Sequence, residues 1–133
     1  MLHLTDSGKI YFLNNLLSQI HIYCHLYVSP VNWAEDPPIS DIVEASWPDY
    51  RPQAVAYWSP AVIRPPLASS WSDWLLWVRG TGGMAAQVYG YYYTAGPAGL
   101  LLGGEARPQG PVPMMAATDR VQVVPSLSLG ELA

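Results

Sequence analysis

Residues 87–129 contain the pattern that most restricts the fold, because short alternating runs are separated there by turn residues. Residues 87–95 carry a tyrosine at every second position from Tyr89 to Tyr93, as expected for a strand with one aromatic face. The turn residues GPAG at 96–99 and the apolar run that follows predict that this strand returns as a hairpin. Alternation resumes over residues 120–129, which predicts one further strand.

The rest of the chain adds a helix and more short strands. Residues 6–19 predict an N-terminal helix, with Asp6 or Ser7 as the cap. Its apolar stripe consists of Ile10, Leu13, Leu16, Leu17 and Ile20. Residues 21–29, 53–58 and 72–79 alternate as strands do. Strands at this spacing, without crossover helices, favour antiparallel pairing.

We therefore expect a mainly β fold: an antiparallel β-sandwich or barrel of about six or seven strands with one N-terminal helix. A chain of 133 residues fits a single domain, residues 1–133. Within it, residues 1–20 would form a helical arm and residues 21–133 the β domain. Gly90 lies inside the tyrosine strand, where glycine weakens a strand unless something packs on its bare backbone. We expect an aromatic ring, from Trp58 or Trp77, to cover it.

Charge limits the classes of partner. Charged residues make up 12% of the chain, against about 25% in an average domain. A surface with so few charges favours burial against other copies or a partner. The net charge of −4 argues against nucleic-acid binding, which needs clustered lysine and arginine. No run approaches the roughly 18 apolar residues of a membrane span, and the N-terminus lacks the pattern of a secretory signal.

No combination of residues predicts a catalytic or metal centre. His21 and His25 have the spacing of a zinc pair on a helix, but on a strand this spacing separates them by roughly 13 Å. Asp41 with Glu44, or Asp49 with Glu105, could act as paired carboxylates in glycoside hydrolysis, yet ten acidic residues produce such pairs by chance. The serines lack a G-x-S-x-G context. We therefore expect no enzymatic activity, no cofactor and no metal.

Aromatic side chains are the main candidates for an interface between subunits, because Trp and Tyr are enriched at protein interfaces. The candidate interface residues are Tyr11, Phe12, Tyr23, Tyr27, Trp74, Trp77, Tyr91 and Tyr93. Tyr11 and Phe12 lie off the helical stripe, and a helix with apolar residues on two sides is usually covered on both. We expect the sheet to cover one face and another chain the other. Exposed tryptophans could instead stack on sugars.

Three motifs late in the chain carry a resemblance to known proteins. They are V-Y-G-Y-x-x-T at 88–94, L-L-x-x-E at 101–105 and D-x-x-x-V-x-P at 119–125. With the upstream segments HLYVSPVNW and SDIVEASWPDY, their order resembles an uncharacterised family of small virion structural proteins of tailed phages. The chain departs from that pattern at Gly103, Gly104 and Arg107, where the family has bulkier residues. The motifs contain no catalytic residue to transfer.

The resemblance implies a non-enzymatic viral structural protein, and a capsid decoration (cement) subunit is the first interpretation. Such a subunit would form a homo-oligomer, for example a trimer, and bind the major capsid protein or other virion proteins. Its location would be the virion, assembled in the host cytoplasm. Two alternatives stay open: a carbohydrate-binding, receptor-binding or tail module that uses surface Trp and Tyr, and a subunit of an extracellular filament.

Overall fold

A computed structural model describes residues 3–80, 86–97 and 99–130, which form one α-helix and eleven strands. The helix α1 spans Asp6–Gln19. The strands are β1 Ile22–Tyr27, β2 Gln53–Ala54, β3 Val62–Arg64, β4 Leu67–Trp71, β5 Leu75–Val78, β6 Ala86–Val88, β7 Gly90–Ala95, β8 Leu100–Ala106, β9 Val112–Met114, β10 Arg120–Val123 and β11 Ser126–Leu129. Two 3-10 turns, Trp33–Glu35 and Ile39–Asp41, lie between β1 and β2.

The strands form four antiparallel sheets in the described part of the chain. Their orders are β2-β1-β7-β8, β11-β4-β3, β10-β5 and β6-β9. The expected mainly antiparallel β fold with an N-terminal helix is confirmed, and the expected hairpin is the β7-β8 pair. The described sheets do not close into a barrel.

Eleven strands replace the six or seven expected, partly because long alternating runs break between sheets. The run 87–95 divides at Tyr89, so that β6 pairs with β9 whereas β7 pairs with β1. The run 120–129 divides before Ser126, so that β10 pairs with β5 whereas β11 pairs with β4. Pro125 lies at this second break, and proline has no N–H to donate to a ladder. Several other strands are only two or three residues long, which is too short to show an alternation of apolar and polar residues in the sequence.

The helix begins with a cap from Thr5. Its side chain accepts a 3.0 Å hydrogen bond from the Gly8 N–H, which satisfies one of the free donors of the first turn. The expected cap at Asp6 or Ser7 is therefore wrong by one or two positions, although the helix bounds agree with the prediction.

The inner face of α1 differs from the expected stripe. Leu13 is 2% exposed, but Leu16, which the pattern placed beside it, is 45% exposed. Lys9 is buried instead, and its Nζ donates a 2.8 Å hydrogen bond to the Pro66 carbonyl. Long lysine side chains bury their methylene groups while the amine keeps a polar partner. Ile10, Leu13 and Leu17 pack on the β11-β4-β3 sheet through Ala61, Ala68, Ile63, Leu127 and Leu129.

The β2-β1-β7-β8 sheet is covered on both sides. One side packs into the main core, formed with residues of β5, β6, β9 and β10. The other side, around Tyr27 and Tyr92, is covered by Ile42 and the segment that includes Trp33. Residues 43–45 continue this cover as an extra extended stretch beside β1. The Val28 N–H donates to the Val43 carbonyl at 2.9 Å, and the Ala45 N–H donates to the Leu26 carbonyl at 3.0 Å.

Candidate functional site

The eight candidate interface residues separate into three groups by exposure. Tyr11, Phe12 and Trp74 are at the surface, with 65%, 48% and 58% of their area exposed. Tyr23 and Tyr91 are half-buried. The remaining three, Tyr27, Trp77 and Tyr93, are buried inside the chain.

The prediction that Tyr27, Trp77 and Tyr93 contact another subunit is wrong for this fold, because these side chains lie inside the chain. The Tyr27 hydroxyl accepts a 3.1 Å hydrogen bond from the Trp33 indole. The Trp77 indole donates to the Arg51 carbonyl at 2.8 Å, and the Tyr93 hydroxyl accepts from the Ser126 N–H at 3.0 Å. Each polar atom thus has a partner within the chain, as buried polar groups require.

The surface residues Tyr11 and Phe12 belong to a wider patch, here named the outer face of α1. It consists of Tyr11, Phe12, Asn15, Leu16 and Gln19, all of which are exposed. The Tyr11 and Phe12 rings meet edge to face at 5.7 Å, and the Gln19 amide donates to Asn15 at 3.2 Å. The helix has two charged residues, Asp6 in the first turn and the buried Lys9. The outer face of α1 therefore carries no charge.

A groove of about 550 Å³ lies between α1 and residues 55–60. Tyr57 and Trp58 line it together with His21 and Asn14. Sugar sites commonly combine aromatic rings with polar side chains that fix the orientation of the ligand. This groove offers one tryptophan, and its described lining contains no carboxylate.

A polar cluster, buried except for the half-exposed Glu44, surrounds His25 and was not predicted from the sequence. It is named here the His25 cluster and consists of His25, Glu44, Tyr50, Tyr92 and Thr94. His25 Nδ1 lies 2.7 Å from Glu44 Oε2, and His25 Nε2 lies 2.8 Å from Thr94 Oγ1. The Tyr92 ring stacks on the imidazole, with centroids 4.6 Å apart and planes 9° from parallel. The two partners of the imidazole are 19 and 69 residues away along the chain, so no local pattern could have signalled them.

Glu44 is the only carboxylate of the His25 cluster and has several donors. The Tyr50 hydroxyl donates to it at 2.7 Å, His25 lies at the same distance, and Tyr92 also acts to lower its pKa. Burial alone would raise the pKa of Glu44, but the hydrogen bonds from His25 and Tyr50 outweigh that effect and hold its pKa below the usual value. Asp41, the other carboxylate of the suggested pair, is exposed in the 3-10 turn Ile39–Asp41.

The order carboxylate, imidazole, hydroxyl is the one that activates a nucleophile in hydrolases. In this chain, however, Thr94 is fully buried and its hydroxyl donates to the Gly96 carbonyl at 2.5 Å. A nucleophile must reach its substrate, so this hydroxyl is not presented to one. The cluster instead ties residues 44–50 to β1 and β7.

The remaining candidates for reactive chemistry lie apart from one another. His21 is exposed just before β1, whereas His25 belongs to the buried cluster. Cys24 is buried, and burial raises its pKa to about 12, which keeps the thiol protonated and weakly nucleophilic. Among residues 3–80, 86–97 and 99–130, no three His, Cys, Asp or Glu side chains are grouped as a metal site would need.

Comparisons with protein-family models, with curated proteins and with solved structures find no match to this chain. In the described residues, no helix has both the length and the hydropathy that crossing a bilayer requires.

Proposed function

We propose that this protein is a non-enzymatic structural subunit of a virion, a decoration (cement) protein of a tailed-phage capsid that acts as a homo-oligomer. The observation that carries the proposal is the outer face of α1. An exposed, uncharged surface with two aromatic rings lies on a helix whose opposite face is fixed on the β11-β4-β3 sheet. The motif order between residues 88 and 125 and the low proportion of charge support the same function.

The absence of charge on the outer face of α1 favours contact with its own copy. In a two-fold symmetric contact the same surface lies on both sides, so a charged face of one sign would repel itself. Tyr11, Phe12 and Leu16 supply apolar area, and Asn15 and Gln19 supply groups that can exchange hydrogen bonds across a symmetry axis. Aromatic residues surrounded by neutral polar side chains are typical of the centre of a protein interface.

A cement subunit acts by binding the assembled shell in preference to its separate parts. Binding to one state stabilises that state by mass action, without any catalytic group. Contacts among copies of the subunit increase the effect, because linked binding events raise the effective concentration of each one.

Incorporation into particles tests the proposal through the double variant Tyr11→Ser with Phe12→Asp. This change places a charge on the outer face of α1 and leaves Leu13 and Leu17 on the sheet. We expect the variant to fold but to be missing from virions purified after complementation. A matched control, Met115→Ser with Val124→Asp, changes two exposed apolar residues on other segments and should be incorporated like the parent. If the α1 variant were present in purified virions at the same copy number as the parent chain, the proposal would be contradicted.

The groove beside Trp58 does not add a second function. Sugar binding would be favoured by two or more tryptophans in one open groove with carboxylates nearby, and the described lining has a single tryptophan.

A further inference from the structure

The hydrogen bonds of the His25 cluster determine where its protons lie. On one side of the imidazole, the Thr94 hydroxyl has a single hydrogen and donates it to the Gly96 carbonyl, which can only accept. The oxygen of Thr94 must therefore accept from His25, 2.8 Å away. Nε2 of His25 accordingly carries a proton.

The other side of the imidazole requires a second proton. Leu26 N–H donates to the Tyr50 hydroxyl at 3.0 Å, so the hydrogen of that hydroxyl is directed to Glu44. Nδ1 of His25 and Oε2 of Glu44 are 2.7 Å apart. Without a hydrogen between them, two lone pairs would face each other at that distance. One proton must lie between Nδ1 and Oε2.

We propose that the buried His25 and the half-buried Glu44 form an imidazolium–carboxylate pair that acts as a proton-dependent clamp, holding residues 43–45 against β1. With Tyr50 donating to Glu44 at 2.7 Å, the carboxylate is the better stabilised location for the negative charge. The imidazolium in turn lies flat against the Tyr92 ring, a favourable position for a cation. The lowered pKa of Glu44 agrees with this assignment of charge.

The clamp and the strand pairing act on the same three residues. Glu44 forms a bridge with Tyr27, and backbone hydrogen bonds join its neighbours Val43 and Ala45 to Val28, just after β1, and to Leu26. If the imidazolium loses a proton, the half-exposed carboxylate of Glu44 no longer faces a positive charge. The contact is then weaker, and the segment 43–45 separates more readily from β1.

The neighbouring titratable groups do not compensate for that loss. Those facing the pair are Tyr50 from the segment after Ile39–Asp41, Tyr92 from β7 and Tyr27 from β1, whose ring lies 6.5 Å from that of Tyr92. Burial raises the pKa of each of these tyrosines, so they stay neutral. The proton between Nδ1 and Oε2 is part of the folded arrangement, so a rise in pH that removes it should weaken the pairing of residues 43–45 with β1.

Nitrogen NMR of the His25 ring in the full chain tests the assignment directly. At pH 6 we expect both ring nitrogens to be protonated, and His21, which is exposed, serves as the reference histidine in the same spectra. A neutral His25 at pH 6, in either tautomer, would overturn the proposal.

Hydrogen exchange tests the clamp. The exchange rates of the Val28 and Ala45 amides, corrected for intrinsic exchange, report the equilibrium constant for local opening of the segment 43–45. As the pH rises through the range in which the His25–Glu44 pair loses its proton, this constant should increase by up to about tenfold per pH unit. The Val55 amide, which bonds to Ile22 at the other end of β1, is the internal control and should change less.

Two variants separate the clamp from a general effect of pH. In Glu44→Gln an amide can donate to a neutral imidazole, so the dependence at Val28 and Ala45 should disappear. His21→Gln should retain it. An unchanged pH dependence in Glu44→Gln would contradict the clamp, and the NMR assignment on the parent chain remains decisive if that variant does not fold.

Discussion

Gly90 shows how far a single residue could be interpreted from the sequence. Glycine inside a strand predicted an aromatic ring on its bare backbone, and a ring does lie there, but it belongs to Tyr27. The expectation of Trp58 or Trp77 is wrong because β1 pairs with β7 and places Tyr27 directly opposite Gly90. The type of contact followed from local chemistry, whereas the identity of the residue depended on strand order.

Gly90→Val should destabilise the fold. A Cβ at this position would meet the Glu105 carbonyl and lie within 2.6 Å of the Tyr27 hydroxyl. We expect the free energy of unfolding to fall by about 1–3 kcal/mol, as in other overpacked sites. Denaturant unfolding measures this change, with Leu100→Ala on the exposed side of the adjacent strand as the control. A Gly90→Val midpoint equal to that of the parent would contradict the close packing.

The lowered pKa of Glu44 predicts that the free energy of unfolding decreases in acid. Its pKa is lower in the folded chain than in the unfolded chain, where it is roughly 4.3. Its contribution is therefore present above that pH and is lost as the pH falls through the lower folded value. The difference in unfolding free energy between the parent and Glu44→Gln should shrink from pH 6 to pH 3. Asp41→Asn, at an exposed carboxylate, is the matched control, and a difference between the parent and Glu44→Gln that does not change with pH would contradict the assignment.

At the scale of elements, local signals predicted α1 well and the strands less well. The bounds of the helix depend on a cap and a period that lie within the segment itself, so they could be predicted. The strand pattern of residues 21–29 was also correct in kind, but Tyr23 and Tyr27, on one face of this strand, were expected to contact another chain. That face is covered by Ile42 and the segment around Trp33, which no periodicity in β1 could indicate.

Leu13 and Leu16 provide a matched comparison within α1. Both leucines were predicted on one stripe, yet only Leu13 is buried. Leu13→Ala should reduce the free energy of unfolding by about 2–5 kcal/mol through loss of packing and a remaining cavity. Leu16→Ala makes the same change in helix propensity and, at a concentration low enough for the chain to be monomeric, should cost less than about 0.5 kcal/mol, as is usual for surface sites. Thermal or denaturant unfolding of the two isolated variants decides this, and equal losses would contradict the orientation of the helix.

At the scale of the whole molecule, the fold class followed from the spacing of strands and turns, but the sheet order did not. The runs 87–95 and 120–129 keep their alternation across breaks at Tyr89 and Pro125, where the chain passes from one sheet to another. Which strands pair is decided by contacts between distant segments, such as β1 with β7 and β4 with β11. The candidate surface was predictable in part: Tyr11, Phe12 and Trp74 are exposed, whereas Tyr27, Trp77 and Tyr93 were assigned to a surface they do not reach.

The central claim is that the outer face of α1 joins copies of this chain. Sedimentation velocity of the purified full chain at micromolar concentration tests it most directly, in parallel with Tyr11→Ser plus Phe12→Asp. We predict that the parent sediments as a concentration-dependent oligomer and that the double variant, with unchanged circular dichroism, sediments as a monomer. A parent chain that remains monomeric at every concentration, or a double variant that associates as the parent does, would contradict the account.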